Sequence, residues 1–442
     1  MLATVNNLFI TVILLYRLAF PVLALLASPY FLYRMLRRGG YGFKLYYRLG
    51  LFPKLQRKKR GAKRIWIQAV SVGELSSIAK IMESLLKDSN IEIVLTGTTS
   101  TGLLMASQKY HSRILAHGPF PMDWWVFSRM AWWRIQPDLI ITVDSELWPE
   151  HFYQASQHGV PALIINARLS DRTFDRLCRS STARKLLLPK GLEILTTSER
   201  QSSRWIEIGI DQSHVQVVGN LKVDAVSSSV PSDVCPKQLR NEFGFAQDSL
   251  IIAGISTWPG EEELLIETME LVRGEQIDAR ILLIPRHAER RKKIASMLEQ
   301  KGVTHHLRTH ARQAPQGTLV YLADTTGELG TLIQCADLAL GGKTLPPNQG
   351  GQNPIEPIAQ GIALVLGPNY QNFFQTCGDL LVHDAIRTTE SAEGAKQALI
   401  NLAQNPEERK QLCFQARQWI DSQGSPSELT IEKIYSLLSS SA

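Results

Sequence analysis

The chain has 442 residues, 44% of them hydrophobic and 20% charged, a globular composition too long for one core; roughly 150 residues per domain gives two or three domains. Its net charge of +7 is uneven: residues 1–64 hold 13 Lys/Arg and no Asp or Glu, leaving 35 basic and 41 acidic groups in the rest. That excludes a uniformly basic nucleic-acid binder, and five scattered cysteines without C-x-x-C spacing, with no H-E-x-x-H motif, point to a reducing compartment and indicate no disulfide framework or zinc site.

The leader comes first. Residues 1–33 are apolar except for Arg17, with Pro21 and Pro29 as expected breakers. Twelve basic residues follow between Arg34 and Arg64, interleaved with tyrosines. A secretory signal carries its positive charge before the apolar part, and here it comes after, so export is not expected. The pattern predicts an anchor at the inner membrane, its basic flank on the cytoplasmic face toward anionic lipid. The alternative is a buried apolar hairpin with a solvated basic segment. On the anchor reading, removing residues 1–33 should release the protein while leaving activity.

From Ile65 onward short apolar runs alternate with helical patterns. The expected strands are 65–70, 91–96, 138–143, 162–166, 193–197 and 215–218. A Pro/Ser-rich stretch then intervenes, and the alternation restarts at 250–255, 280–284, 319–322, 338–340 and 362–366. Such alternation predicts parallel sheets covered by helices on both faces. The restart predicts two such α/β domains, at 65–225 and 241–442, the latter including the terminal helices. Residues 1–64 form the leader and 226–240 the linker. Ligands of such sheets bind at the carboxyl ends of strands.

Three strand-to-helix junctions share one form: Ser71-Val72-Gly73-Glu74, Thr325-Thr326-Gly327-Glu328 and Asn353-Pro354-Ile355-Glu356, with Pro354 expected at the first helical position. Each sets a capping residue three positions before a Glu. A capping box, worth about 1 kcal/mol, explains any one of them without a ligand. An anion site with a carboxylate acting as base is the functional alternative. Pro285-Arg286-His287 ends a strand, and Arg286 suits a phosphate; Arg290 to Lys293 read as a solvated face. Lys222 alone is as readily a surface lysine, and Asp144-Ser145-Glu146 is a carboxylate pair or a cap. Gly342-Lys343-Thr344 ends like a phosphate-binding loop, but Asp337 stands where that loop needs its first glycine.

At these junctions the chain resembles the 3-deoxy-D-manno-oct-2-ulosonic acid (Kdo) transferases of lipopolysaccharide assembly. The segments that carry the resemblance run in family order: Ala69–Glu74, Thr98–Gly102, Ser145–Pro149, Asn166–Ser170, Gly219–Asp224, Pro285–His287, Asp324–Leu329 and Gly350–Glu356. The resemblance implies that both domains are Rossmann-like and doubly wound, in an inverting GT-B-type glycosyltransferase that moves Kdo from CMP-Kdo to a lipid A precursor (lipid IVA). It implies Glu74 as general base, with Asp144 and Lys222 as transition-state stabilisers. It implies CMP contacts from Pro285, Arg286, Thr326, Gly327, Glu328, Asn353, Pro354, Ile355 and Glu356. No metal or other cofactor is implied, and no nucleic acid. Asp144 stands where the family usually has Glu, Gln352 replaces the usual His, and the loop Lys343–Gln349 is longer than usual. At a helix N-terminus the Glu74 carboxyl is expected to have a low pKa. Two alternatives stand beside this reading: another membrane-associated GT-B enzyme such as a lipid A disaccharide synthase, and a non-catalytic membrane-tethered adaptor.

Overall fold

The computed structural model describes residues 2–37, 42–227 and 235–440. The chain divides into two compact units, residues 1–225 with 423–442 and residues 226–422. In the first, the strands are β1 (Lys63–Gln68), β2 (Ile91–Gly97), β3 (Ala116–Pro119), β4 (Leu139–Val143), β5 (Ala162–Ala167), β6 (Leu192–Thr196) and β7 (Val215–Val217). They form one parallel sheet in the order β3-β2-β1-β4-β5-β6-β7. The period of two along each strand divides the core. Trp66, Ile140, Ile164 and Ile194 face one side, while Ile65, Ile67, Leu139, Ile141 and Leu163 face the other. Both faces are therefore apolar, and the strands read as continuous apolar runs.

The second unit repeats the plan. Its strands are β8 (Leu250–Thr257), β9 (Ala279–Pro285), β10 (His305–Leu307), β11 (Val320–Leu322), β12 (Leu338–Gly341), β13 (Ala363–Leu366) and β14 (Arg387–Thr388). They pair in parallel in the order β10-β11-β9-β8-β12-β13-β14. The sheet order reverses direction at β1 in the first unit and at β8 in the second, which creates a crevice beyond the carboxyl ends of β1/β4 and of β8/β12. This is the expected α/β, doubly wound architecture. The three strands with no counterpart in the sequence reading, β3, β10 and β14, are all at sheet edges. Ala-His-Gly-Pro, His-His-Leu and Arg-Thr carry no apolar run that would mark them as strands.

Two boundaries differ from expectation. The last helix, Pro426–Ser440, belongs with the first unit and not with residues 241–442. Ile434 and Leu438 pack in the same core cluster as Leu75 and Met82, and Asp224 accepts from the Ser427 N–H at 3.0 Å. Of the linker expected at 226–240, residues 228–234 lie outside the described residues. From Pro236 the chain is already a helix, Pro236–Glu242, with Leu239 buried.

The leader is one helix, α1 (Leu2–Arg37), which continues through Pro21 and Pro29 instead of breaking there. Thr11–Tyr30 is long and apolar enough to cross a membrane. Leu18, Leu25 and Leu26 are each 74% exposed, an apolar surface that water does not favour and lipid does. Yet one stripe of α1 is docked: Val12 and Ile13 are buried, and Tyr16 and Arg17 reach polar groups of the first unit. Removing residues 1–33, expected to release the protein while leaving activity, would also take away buried side chains and ion-pair partners of the first unit. Part of the basic flank is likewise engaged. Arg64 is buried against Glu92 (2.7 Å), and Lys58 pairs with Asp138 (2.7 Å).

Candidate active site

β1 ends at Gln68 and the chain turns into α2 (Val72–Ser77), followed by α3 (Ala79–Leu85). Ser71 is the N-cap of α2: its Oγ accepts from the Glu74 N–H at 3.4 Å. The Glu74 carboxylate reaches back to accept from the Val70 N–H at 2.6 Å and from the Ser71 hydroxyl at 3.1 Å. Only half of the expected capping box forms: Ser71 caps the helix, while the Glu74 carboxylate is held by Val70 and the Ser71 hydroxyl and not by the Ser71 N–H, which keeps it near the carboxyl end of the central strand. The expected low pKa is not found. Burial, reinforced by the negative charge of Asp144, pushes the Glu74 carboxyl up to about 7 and outweighs those two donors and Lys222. Helix polarity acts over the first turn only, whereas desolvation acts on the whole carboxylate.

The neighbouring strand β4 delivers Asp144 one residue past its end. Asp144 is in the left-handed region at φ 60°, which few non-glycine residues adopt without surrounding constraint. The constraint is visible. The Asp144 carboxylate accepts from Asn166 Nδ2 at 2.5 Å and from Arg168 at 2.6 Å, and Lys222 Nζ lies 3.6 Å away. Burial opposes its charge, but Arg168, Lys222 and Asn166 outweigh burial and hold its pKa below the usual carboxylate range. Asn166 also accepts from the Leu221 N–H at 3.1 Å, which fixes the helix Leu221–Ser227 that carries Lys222. Burial lowers the Lys222 pKa, opposed by Asp144 and Glu74. Lys222 is thus no surface lysine.

Glu146, two residues beyond Asp144, is pushed up to about 7 by burial and by Glu74. The structure so brings Glu74, Asp144 and Lys222 into one cluster, together with Glu146, Asn166 and Arg168. Arg168 and Asn166 were not singled out as site residues, although both lie in one of the resemblance segments. Their signal was a polar Asn and Arg at the end of an otherwise apolar strand.

In the second unit the expected contacts lie on three separate segments, after β9, after β11 and at the start of the helix Ile355–Ala359. Pro285 ends β9 and Arg286 follows it, exposed. Thr326 and Gly327 are exposed in the turn after β11, with Gly327 at φ 85°. Glu328 does not sit inside a helical first turn but is itself the N-cap of the short helix Leu329–Leu332. Its carboxylate is gripped by Arg308 at 2.8 and 3.0 Å and by the Thr325 hydroxyl. The Arg308 hydrogen bonds hold its pKa down at about 2. Pro354 is the N-cap, not the first residue, of the helix Ile355–Ala359. Asn353 Oδ1 accepts from the Ile355 N–H at 3.2 Å, and burial raises the Glu356 pKa.

The Gly342-Lys343-Thr344 turn has its amides already filled. Buried Glu261 accepts from the N–H groups of Lys343 (2.9 Å), Thr344 (3.0 Å) and Leu345 (3.2 Å). A phosphate would have to displace that carboxylate, which agrees with rejecting a phosphate-binding loop there. Arg290, expected on a solvated face, is instead paired with buried Glu262 at 2.7 Å. Among the described residues no group of three or more His, Cys, Asp or Glu is disposed to hold a metal.

Residues 44–225 match the family model described as 3-deoxy-D-manno-octulosonic-acid transferase (kdotransferase). A 3-deoxy-D-manno-octulosonic acid transferase of Haemophilus influenzae is 26% identical over 350 residues, 79% of this chain and 81% of that protein. One of Bordetella pertussis is 26% identical over 383 residues, 84% of this chain and 87% of that protein. Among solved structures, the UDP-GlcNAc 2-epimerase of Neisseria meningitidis superposes with a TM-score of 0.57 at 13% identity, covering 84% of this chain and all (100%) of that one. A glycosyltransferase of Rickettsia africae gives a TM-score of 0.51 at 12% identity, covering 87% and 99%. These two likenesses concern the fold alone.

Proposed function

We propose, from the premise that this chain belongs to the Kdo transferase family, that it moves Kdo from CMP-Kdo onto a lipid A precursor, with Glu74 as the general base. As a member of that family it is a glycosyltransferase of lipopolysaccharide biosynthesis. The donor, the acceptor and the residue roles are our reading. The observation that carries it is a buried carboxyl with a pKa of about 7 at the carboxyl end of the central strand, beside Asp144 and Lys222.

A sugar hydroxyl is a poor nucleophile at neutral pH, and a base is most effective when its pKa lies near the working pH. Glu74 would take the proton from the acceptor hydroxyl as its oxygen forms a bond to the anomeric carbon of Kdo. The bond from that carbon to the CMP phosphate oxygen breaks, and CMP leaves with the electron pair. Attack opposite the leaving group inverts the anomeric centre. Lys222 and Arg168, held by Asp144, are fixed charges that need no rearrangement as charge develops. In the second unit Arg286 is an exposed cation at a strand end and suits the CMP phosphate. Pro285, Thr326, Gly327 and Asn353–Glu356 line the neighbouring strand ends; Glu328 would act chiefly through its hold on Arg308. The acceptor is a phosphorylated lipid, which fits an apolar helix followed by a basic flank at the membrane.

Incubation of the full chain in detergent with CMP-Kdo and tetraacyl lipid A precursor, followed by mass spectrometry, tests the reading. A product heavier than the acceptor by one or more Kdo units is expected. No product with CMP-Kdo, or stronger thermal stabilisation by UDP than by CMP, would overturn it.

A further inference from the structure

The anchor helix carries one charge in its apolar stretch, and that charge is spent on a residue six positions past Asp144. Arg17 donates to Glu150 with Nε at 2.8 Å and with its terminal nitrogen at 2.9 Å. The Glu150 side chain is fully buried, and it also accepts from the Gln154 amide at 2.8 Å. The Arg17 guanidinium also stacks on the Tyr153 ring, 4.6 Å from its centroid. A bidentate fork onto a desolvated carboxylate is among the strong polar contacts. Removing one partner of such a pair leaves an uncompensated buried charge, whereas replacing both by apolar groups is often neutral.

Glu150 lies in the first turn of α6 (Pro149–Gln157). The N-cap of α6 is Trp148, whose side chain makes no capping bond. The cap is supplied from elsewhere: buried Asp123 accepts from the N–H groups of Glu150 (3.0 Å) and His151 (2.9 Å). The hydroxyl of Tyr16, again on α1, donates to Asp123 at 2.9 Å. Trp124, next in sequence to Asp123, donates its indole N–H to the Arg17 carbonyl at 2.9 Å. Two adjacent residues of α1 therefore hold both the charge and the cap of the α6 first turn. The segment Asp144–Trp148 hangs between that turn and the end of β4, where the Asp144 N–H donates to the Ile165 carbonyl at 3.0 Å.

We propose that Arg17 is a positioning residue: its ion pair with Glu150 fixes the first turn of α6 and thereby the Asp144–Glu146 turn, so that docking of the membrane helix sets the geometry of the active site. The proposal rests on the assignment of that turn to catalysis, but the structural half can be read without activity.

The test compares full-length Arg17→Leu, Arg17→Lys and the double variant Arg17→Leu/Glu150→Leu in detergent with the wild type. Hydrogen exchange followed by mass spectrometry reports the amides of residues 144–151 directly. Arg17→Leu should speed exchange there at least tenfold while leaving the 250–257 amides of β8 unchanged. Its kcat, measured where the protein is fully folded by circular dichroism, should fall at least tenfold with KM for CMP-Kdo unchanged. Arg17→Lys should recover part of both, and the double variant should recover thermal stability, since no buried charge is left alone. If exchange at 144–151 does not change in a folded Arg17→Leu protein, the proposal is wrong whatever the activity. A kcat loss that only follows the folded fraction would reduce Arg17 to a stabilising residue and also overturn it. A wild type inactive on CMP-Kdo would sink the proposed function and leave the exchange result standing.

Discussion

In the first unit the chemistry-bearing side chains are half-buried or buried and clustered around Asp144, whereas in the second the residues assigned to CMP include exposed ones facing solvent. Asp144 binds Asn166, Arg168 and Lys222 at the ends of β4 and β5, and Glu74, held by Val70 and Ser71 at the end of β1, feels the charges of Asp144 and Lys222. Arg286, Thr326 and Gly327 stand exposed at the ends of β9 and β11. The difference follows from what each half must do. A base and its counter-charges work through desolvation and fixed geometry, and neither tolerates solvent. A nucleotide brings its own charge and surface, and exposed donors lose little until it arrives. On this view substitutions in the first unit alter turnover and pH dependence, while those in the second alter affinity.

The largest break in that contrast comes from Glu74→Gln. Glutamine keeps a side-chain oxygen that can accept from the Val70 N–H but cannot take a proton. Turnover should fall by about 10²–10⁴-fold, with the fold and CMP binding intact by calorimetry. An enzyme within a few-fold of wild-type turnover would end the assignment of Glu74 as base.

The pH profile comes next. With its carboxyl at about 7, Glu74 is largely protonated at pH 6, so kcat should rise close to tenfold per pH unit below 7 and level off above it. Glu146 is also pushed up to about 7, in part by Glu74. The two titrate as a pair, and Glu146→Gln should move the acid limb to lower pH. The same shift acts on stability with opposite sign. A carboxyl whose pKa is raised on folding favours the folded state fully below its unfolded value, near 4.5, and loses that contribution as pH rises through about 7. Glu74→Gln should therefore match the wild type in thermal stability at pH 4.5 and exceed it at pH 8.

Arg286→Ala should act on the other side of the contrast. A charge-assisted hydrogen bond to phosphate is worth about 1.5–3 kcal/mol, so CMP affinity should fall by about 10–100-fold with kcat at saturation little changed. Thermal shift measures this readily, because CMP at a hundred times its Kd stabilises by about 2.7 kcal/mol. A kcat loss at saturating donor, with affinity intact, would place Arg286 with the catalytic group and erase the distinction.

Much of this plan is legible in the sequence. The central strands announce themselves because both their faces are apolar, and Glu74, Asp144, Lys222 and Arg286 stand at strand ends, in segments of the family resemblance. What stays hidden depends on long-range contacts. Nothing in Ala-His-Gly-Pro marks β3, which pairs by backbone alone at an edge. Nothing local in Pro426–Ser440 says that Ile434 packs near Leu75 rather than in the second core. Arg17 reads as an interruption of an apolar stretch until Glu150, 133 residues away, is seen to face it. The raised pKa of Glu74 is hidden for the same reason: the helix N-terminus is local, while burial and Asp144 are not.

The smallest predicted effect compares one left-handed residue from each half-site. In the first unit the position at φ 60° is Asp144, a non-glycine held in place by Asn166 and Arg168. In the second it is Gly327, at φ 85°. A β-carbon at 327 would meet no atom within 4 Å, so Gly327→Ala adds no clash and costs only the strain of an alanine in that region, about 1 kcal/mol. The turn cannot relax freely, because the next residue, Glu328, is anchored to Arg308 and Thr325. The strain must be borne by the folded unit or relieved by shifting Thr326, which is assigned to CMP. The first outcome lowers the stability of the second unit by about 1 kcal/mol with CMP affinity unchanged. The second keeps stability and weakens CMP by about fivefold, the same free energy expressed in binding. Calorimetry with CMP together with denaturant unfolding separates them. A loss of kcat at saturating donor would mean that this exposed turn, like the buried cluster of the first unit, takes part in the chemical step.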